Sequence, residues 1–540
     1  MIKKYIKAIN NILYLETSSE TTFTRFMETV GLATIKVTES LPTGEGVLDA
    51  GGVSALEVDN LFDAVNYAES VIGQSILFRS LVTPLSKRHD IENKQLALEE
   101  LRDNVALKTA IQSIISIGVE RENSFYRLLF ADFLPMFGSS KNGKDIEGYG
   151  YAQYKRGVRF VTNFVTGIQE CPSPESAYLN ELFDHIKSFA ASRTYALMTQ
   201  SVYLTETSLQ TRQERRKSWW LPAVVFYPSL FKPLVLALLT GALCTLFYFI
   251  PGVIGQALFL SPFLLLYFPW VGNFDRDNFI IPLREEYKQS QELASALDAL
   301  GQLDELLSFL KFADNFGHTT VLPSIVDSEQ HRMILCEAMN PILGKENPQY
   351  IGNDLTLDHN KVLAITGPNS GGKTAFCKTI SQIQLLAQIG CFVPARSATL
   401  SVADKIFYQA PEISKLNDGE GRFGAELKRT KEVFLACSAR SLVILDELSE
   451  GTTFEEKMES SLTVLSGFYR KGNSTILITH NHQLVDELVK QHIGVARQVQ
   501  FSGDLPTHKI IEGISRVSHA DRVAKKIGFS KEDIDFYLTQ

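Results

Sequence analysis

The chain has 540 residues, 45% of them hydrophobic and 21% charged, with a net charge of −8. A single core seldom grows past roughly 300 residues, so three or four modules are expected, and nothing in the composition suggests extended disorder or an all-over basic surface. The six cysteines (Cys171, Cys244, Cys336, Cys377, Cys391, Cys437) are scattered and form no C-x-x-C pair, so they suggest neither a disulfide framework nor a zinc site and fit a reducing cytosol.

The opening "MIKKYIKAINNILYLE" has early lysines but no apolar core ending in small residues, so it is not read as a signal peptide. Residues 1–60 start with a helical pattern and end in the turn-rich "LPTGEGVLDAGG". From 61 to 218 apolar residues recur at helical spacing, as in "LEELRDNVALKTAIQSIISIG". The lysines of the loop "GSSKNGKDIEGYGY" either touch phosphate or only solvate the loop.

From Pro233 to Phe274 there is no Asp, Glu, Lys, Arg or His. At about 1.5 Å per residue this makes two helices, each near the ~30 Å of a bilayer core, separated by Pro251-Gly252. The chain's three tryptophans, Trp219, Trp220 and Trp270, flank the stretch, and "RQERRKS" precedes it. A transmembrane hairpin over 219–274 with both ends in the cytoplasm is therefore expected, the alternative being a buried hairpin in a soluble core.

Beyond a returning helical region over 275–335, "KVLAIT" (361–366) reads as a buried strand, and "TAFCKTISQIQLLAQIG" as a helix ending at Gly390. Between them Gly367 to Thr374 spell G-P-N-S-G-G-K-T, which satisfies G-x-x-x-x-G-K-[ST]. Strand, glycine loop and helix in that order predict a phosphate cradle: Gly367, Pro368, Asn369, Ser370, Gly371 and Gly372 supply backbone, Lys373 reaches the β/γ-phosphates of ATP, and Thr374 binds Mg²⁺. A second strand, "SLVILDE", ends in Asp446, expected to hold Mg²⁺, and Glu447, expected to activate water. A third, "STILITH", ends in His480, either a contact to the γ-phosphate or a structural histidine.

Together these segments resemble the ATPase domain of the MutS family, within the ABC-type ATPases. "TGPNSGGKT", "GCFVPA" followed by "DKIF", "LVILDELSEGTT" and "ITH" are similar to that family's motifs, and "GISRVSHADRVAKKIGFSKEDIDF" resembles its C-terminal dimerisation element. The resemblance implies an α/β P-loop ATPase domain (336–508) behind an all-α core and lever domain (61–218 and 275–335), a dimerising end (509–540) and a homodimer. It also implies ATP hydrolysis with Mg²⁺ and DNA as a partner in mismatch repair. By the same resemblance Glu447 and His480 are catalytic with Lys373, and Tyr350 stacks on adenine, unless it is a core tyrosine.

Two departures stand out. The family's trans signature loop carries Ser-Thr-Phe, where this chain has Gly421, Arg422 and Phe423, so Arg422 either replaces the serine toward the partner's γ-phosphate or faces solvent. Mismatch reading by a Phe-x-Glu wedge is not expected, because "FME" (26–28) lacks the family's surroundings. If the hairpin takes the place of the DNA clamp, the levers end in membrane lipid. The rival function is then a membrane-tethered mechanical ATPase or scaffold, with an unknown protein partner and no mismatch recognition.

Overall fold

The computed structural model describes residues 46–134, 145–206, 208–217, 222–227, 241–242, 245, 270–359, 361–368, 371–410, 421–448, 454–502, 505–516 and 527–539. The chain divides into two compact units. One is drawn from Tyr67–Leu77 and Ala97–Ser308, the other from Thr34–Asn66, Phe78–Leu96 and Phe309–Gln540.

Helices α1 (Ala50–Ala55) and α2 (Val58–Val65) belong to the second unit, and α3 (Val71–Val82) begins in the first. The first unit is mainly helical. Its longest pair, α4 (Val105–Phe130) and α5 (Tyr151–Glu170), bury the apolar stripes that the sequence spacing predicts. They approach closely at Gly157, where a Cβ would stand 3.0 Å from the Ser124 carbonyl oxygen. Residues 202–226, part of which reads as helical in sequence, instead hold strands β1 (Val202–Leu204), β2 (Leu209–Gln210) and β3 (Val224–Phe226) in an antiparallel sheet ordered β2-β1-β3. Strands this short fall below any readable alternation.

Two buried carboxylates hold the start of α3, whose first-turn N–H groups have no partner within the helix. Glu122 accepts from the Val71 and Ile72 amides at 2.9 and 3.0 Å, and Asp304 accepts from the Ser70 amide at 2.8 Å and the Ser70 hydroxyl at 2.6 Å. Burial outweighs these bonds and pushes the Glu122 carboxyl up to about 7. Burial raises Asp304 as well. A folded pKa above the unfolded one means stability is complete below about pH 4.5 and is lost as pH rises through 7, by about 3 kcal/mol for Glu122. Urea midpoints are expected to fall between pH 5 and pH 8 in the native chain and to fall much less in Glu122→Gln. Parallel pH profiles for the two chains would refute the assignment.

The second unit is α/β. Strands β4 (Ser324–Val326), β5 (Met333–Ala338), β6 (Asn353–Leu357) and β8 (Ser397–Ser401) form a mixed sheet ordered β4-β8-β5-β6. The larger sheet has six strands: β7 (Val362–Thr366), β9 (Ile406–Gln409), β10 (Leu442–Asp446), β11 (Ser474–Ile478), β12 (Val495–Ser502) and β13 (Leu505–Glu512), ordered β13-β12-β7-β11-β10-β9. All pairings in it are parallel except β12 with β13. Strands β7, β10 and β11 are buried at every residue, which explains their unbroken apolar runs.

One face, with Val362, Ala364, Val443, Leu445 and Leu477, packs on helices Gly421–Ala436, Phe454–Lys471 and His482–Lys490. Helix α6 (Lys373–Gln388) lies against β10 and β11 and buries most of its polar residues, Thr374 and Lys378 excepted. Main-chain groups around it explain this. Gln382 donates to the Leu56 carbonyl at 2.8 Å, Gln384 to that of Ser401 at 3.0 Å, and Gln388 to those of Leu85 and Ala403, each at 3.0 Å. A buried amide with such partners avoids the desolvation cost of an orphaned one.

The expected membrane placement, with lipid around 233–274 and the ATPase half facing the cytoplasm, is corrected. Among the described residues no helix is long and apolar enough to cross a membrane, and the longest, Val105–Phe130 and Gln291–Asn315, carry charged residues along their length. Of the expected hairpin, 219–274, only 222–227, 241–242, 245 and 270–274 are described, and Val224–Phe226 is a strand there.

Candidate nucleotide site

Parallel order decides which loops meet. Strand β11 lies between β7 and β10, so the loops leaving their C-terminal ends converge on one edge, where ligands gather in open α/β sheets. The loop after β7 is the glycine stretch, the end of β10 is Asp446, and His480 follows β11.

Gly367 and Gly372 hold φ of 140° and 87°, a backbone region that L side chains rarely adopt. At Gly367 and Gly371 a Cβ would also stand 2.8 and 2.7 Å from Val499 Cγ2, so this wall of β12 fixes the loop's path. The Gly371 amide donates to the Pro368 carbonyl at 3.0 Å, and Gly372 caps α6. Asn369 and Ser370 lie outside the described residues.

Lys373 is buried and donates from Nζ to the Gly367 carbonyl at 2.7 Å. Burial lowers its ammonium to about 8, against the pull of the Glu447 and Asp446 carboxylates. One residue on, the Thr374 hydroxyl donates to Asp446 Oδ2 at 3.3 Å, and the Tyr408 hydroxyl donates to the same oxygen at 3.3 Å. Burial raises the Asp446 carboxyl, and a cation there would favour its charged form. A hydroxyl and a carboxylate oxygen this close suit a small hard cation that keeps most of its waters.

Glu447 departs from the strand with φ of 60°, its amide donating to the Ile478 carbonyl at 2.9 Å. Its Oε1 lies 3.0 Å from His480 Nε2, so the structure joins the ends of β10 and β11 through this pair. Beside the start of α6 a cleft of about 670 Å³ is lined by Tyr350, Ile351, Phe376, His508 and Thr374, among others. Tyr350 is half-buried there, and burial raises its hydroxyl above the usual tyrosine range.

Gly421, Arg422 and Phe423 open the helix Gly421–Ala436. Phe423 is half-buried, and the side chains of Gly421 and Arg422 lie outside the described residues.

Sequence reasoning missed Tyr408, His508 and Val499. Tyr408 sits in a short buried strand and looks like any core aromatic. His508 lies on the edge strand β13 at φ 61°, with no local motif to mark it. Only the pairing of β12 with β7 brings Val499 to the loop.

Residues 363–535 match the family model described as MutS domain V. Over 256 residues the chain is 32% identical to the DNA mismatch repair protein MutS of Brevibacillus brevis, covering 46% of this chain and 29% of that protein. Over 244 residues it is 32% identical to the protein of the same name from Parabacteroides distasonis, covering 43% and 28%. Over 271 residues it is 30% identical to the DNA mismatch repair protein MSH3 of Candida glabrata, covering 48% and 26%. The match thus spans under a third of the length of these relatives. The phosphate loop, the acidic strand end and the histidine on one sheet edge thus lie in the α/β half of the chain that is similar to MutS domain V over residues 363–535.

Proposed function

We propose that the chain binds and hydrolyses ATP with Mg²⁺ at this edge. The observation that carries the reading is the alignment of three groups: Lys373 buried in its loop, Thr374 on Asp446, and Glu447 held by His480. Loop amides and the α6 N-terminus would face the phosphates, and Lys373 would add its charge. Thr374 and Asp446 would hold Mg²⁺, which neutralises phosphate charge when bound. Glu447 accepts a proton from water, and His480 fixes the carboxylate's direction. Tyr350, with His508 and Phe376 in the same cleft, would receive the adenine.

A homodimer completes the reading, with Gly421, Arg422 and Phe423 presented to the partner's site. Support comes from the C-terminal helix Lys531–Leu538, which leaves Phe536, Tyr537 and Leu538 exposed, as is Phe529 before it. The relatives' names supply the process, DNA mismatch repair, and with it DNA as a partner. The rival reading is an ATP-driven mechanical or scaffold protein that acts on an unknown protein partner without recognising mismatches.

Phosphate release from ATP is expected with Mg²⁺ and not with EDTA; no release in either would end the ATPase reading. Separately, a duplex with one mispaired base should bind about tenfold tighter than its matched control in one nucleotide state, as a mismatch reader requires. Equal binding in every state would remove mismatch recognition and leave the ATPase standing.

A further inference from the structure

The first unit contains a second polar cleft, of about 470 Å³, that the phosphate chemistry above does not use. Helix α5 presents Lys155 and Arg159 to it one turn apart, which the helical period places on one face. Arg212 reaches it from the short helix Arg212–Lys217. No Asp or Glu lines the cleft. Among the described residues no carboxylate pairs with any of these three cations: Glu214, the acid nearest Arg212 in sequence, is bonded at 2.9 Å to Arg193 and at 2.7 Å to the Thr211 amide. Like charges that converge without a counter-charge repel one another, and an anion between them relieves that repulsion.

The remaining lining narrows the anion. Gln200 and Ser201 bring side-chain donors that no hydrogen bond among the described residues uses. Val158 and Met198 form a buried apolar floor, and Tyr227, 44% exposed, lines the same space. Cations with neutral donors suit phosphate oxygens, arginine above all because its planar fork can bond two of them. An apolar floor with an aromatic ring suits a flat base, for which stacking is sequence-tolerant. The volume lies in the range of small-ligand sites and would be oversized for inorganic phosphate alone.

We infer that Lys155, Arg159 and Arg212 with Tyr227 form a binding site for a nucleoside phosphate, separate from the phosphate loop. The ligand is either a free mononucleotide or one nucleotide of a single strand; both present the same phosphate and base.

The test uses the full-length chain titrated with uridine 5′-monophosphate, a ten-residue oligothymidylate and inorganic phosphate. The variants are Arg159→Ala/Arg212→Ala and Tyr227→Ala. All these side chains are exposed, so unfolding midpoints should stay at the native value and serve as the folding control. Uridine monophosphate is expected to saturate, with affinity falling about tenfold or more in the double arginine variant and at least about threefold in Tyr227→Ala. An oligothymidylate bound about tenfold tighter than the monomer would assign a strand, with affinity falling steeply as salt rises, and equal affinities would assign the free nucleotide. Absence of saturable binding, binding unchanged in the double variant, or inorganic phosphate bound as tightly as the nucleotide with no effect of Tyr227→Ala would each overturn the inference.

Discussion

Exchange of Lys373 for alanine is expected to abolish ATP turnover and to weaken nucleotide binding by about 10²-fold or more, since losing one buried charge opposite phosphate costs about 2–5 kcal/mol. The side chain is buried and its ammonium is lowered to about 8, so the site already carries a cation at a desolvation cost. Phosphate oxygens would relieve that cost, and alanine leaves nothing there to meet them. The fold should tolerate the change, because the bond lost, Nζ to the Gly367 carbonyl, lies within the loop. Equilibrium binding of a fluorescent ATP analogue, beside a thermal melt, separates the two effects. A folded Lys373→Ala chain that binds and turns over ATP normally would show that the nucleotide sits elsewhere.

Glu447→Gln is expected to leave binding intact and to slow hydrolysis by roughly 10³-fold, within the span attributed to a positioned general base. Glutamine keeps the length and shape of the side chain but cannot take a proton from water. The backbone bend at φ 60° and the amide bond to Ile478 are kept, so the geometry around Asp446 should survive. What is lost is the charge facing His480 at 3.0 Å. Single-turnover measurements should show ATP retained and uncleaved, and a burst of cleavage at the native rate would remove Glu447 from the chemistry. Read together, the two variants separate capture of the triphosphate from its cleavage.

The parts of this site that could be read from sequence are those in which one short segment carries its own geometry. The strand, glycine loop and helix around Gly367–Thr374 form such a segment, and so does an apolar run that stops at Asp446 and Glu447. His480 followed from the same logic applied to β11. What could not be read depends on strands distant in sequence: Tyr408 meets Asp446 through the β9–β10 pairing, and Val499 meets the loop through β12. The second unit itself joins three chain segments, which no local pattern announces. Absence of charge from Pro233 to Phe274 suggested a membrane from composition alone, and no helix among the described residues is long and apolar enough to cross one. Nor does helical spacing announce that Ser381, Gln382, Gln384 and Gln388 of α6 are all buried, since their partners come from distant segments.

Those glutamines have a mechanical corollary. Because their amides grip the carbonyls of Leu56, Leu85, Ser401 and Ala403 at 2.8 to 3.0 Å, α6 cannot spin or slide without tugging on three separate strings of backbone. Force applied at Lys373 and Thr374 would therefore be handed along a stiff axle to segments as far as 326 positions away in sequence, the span between Leu56 and Gln382.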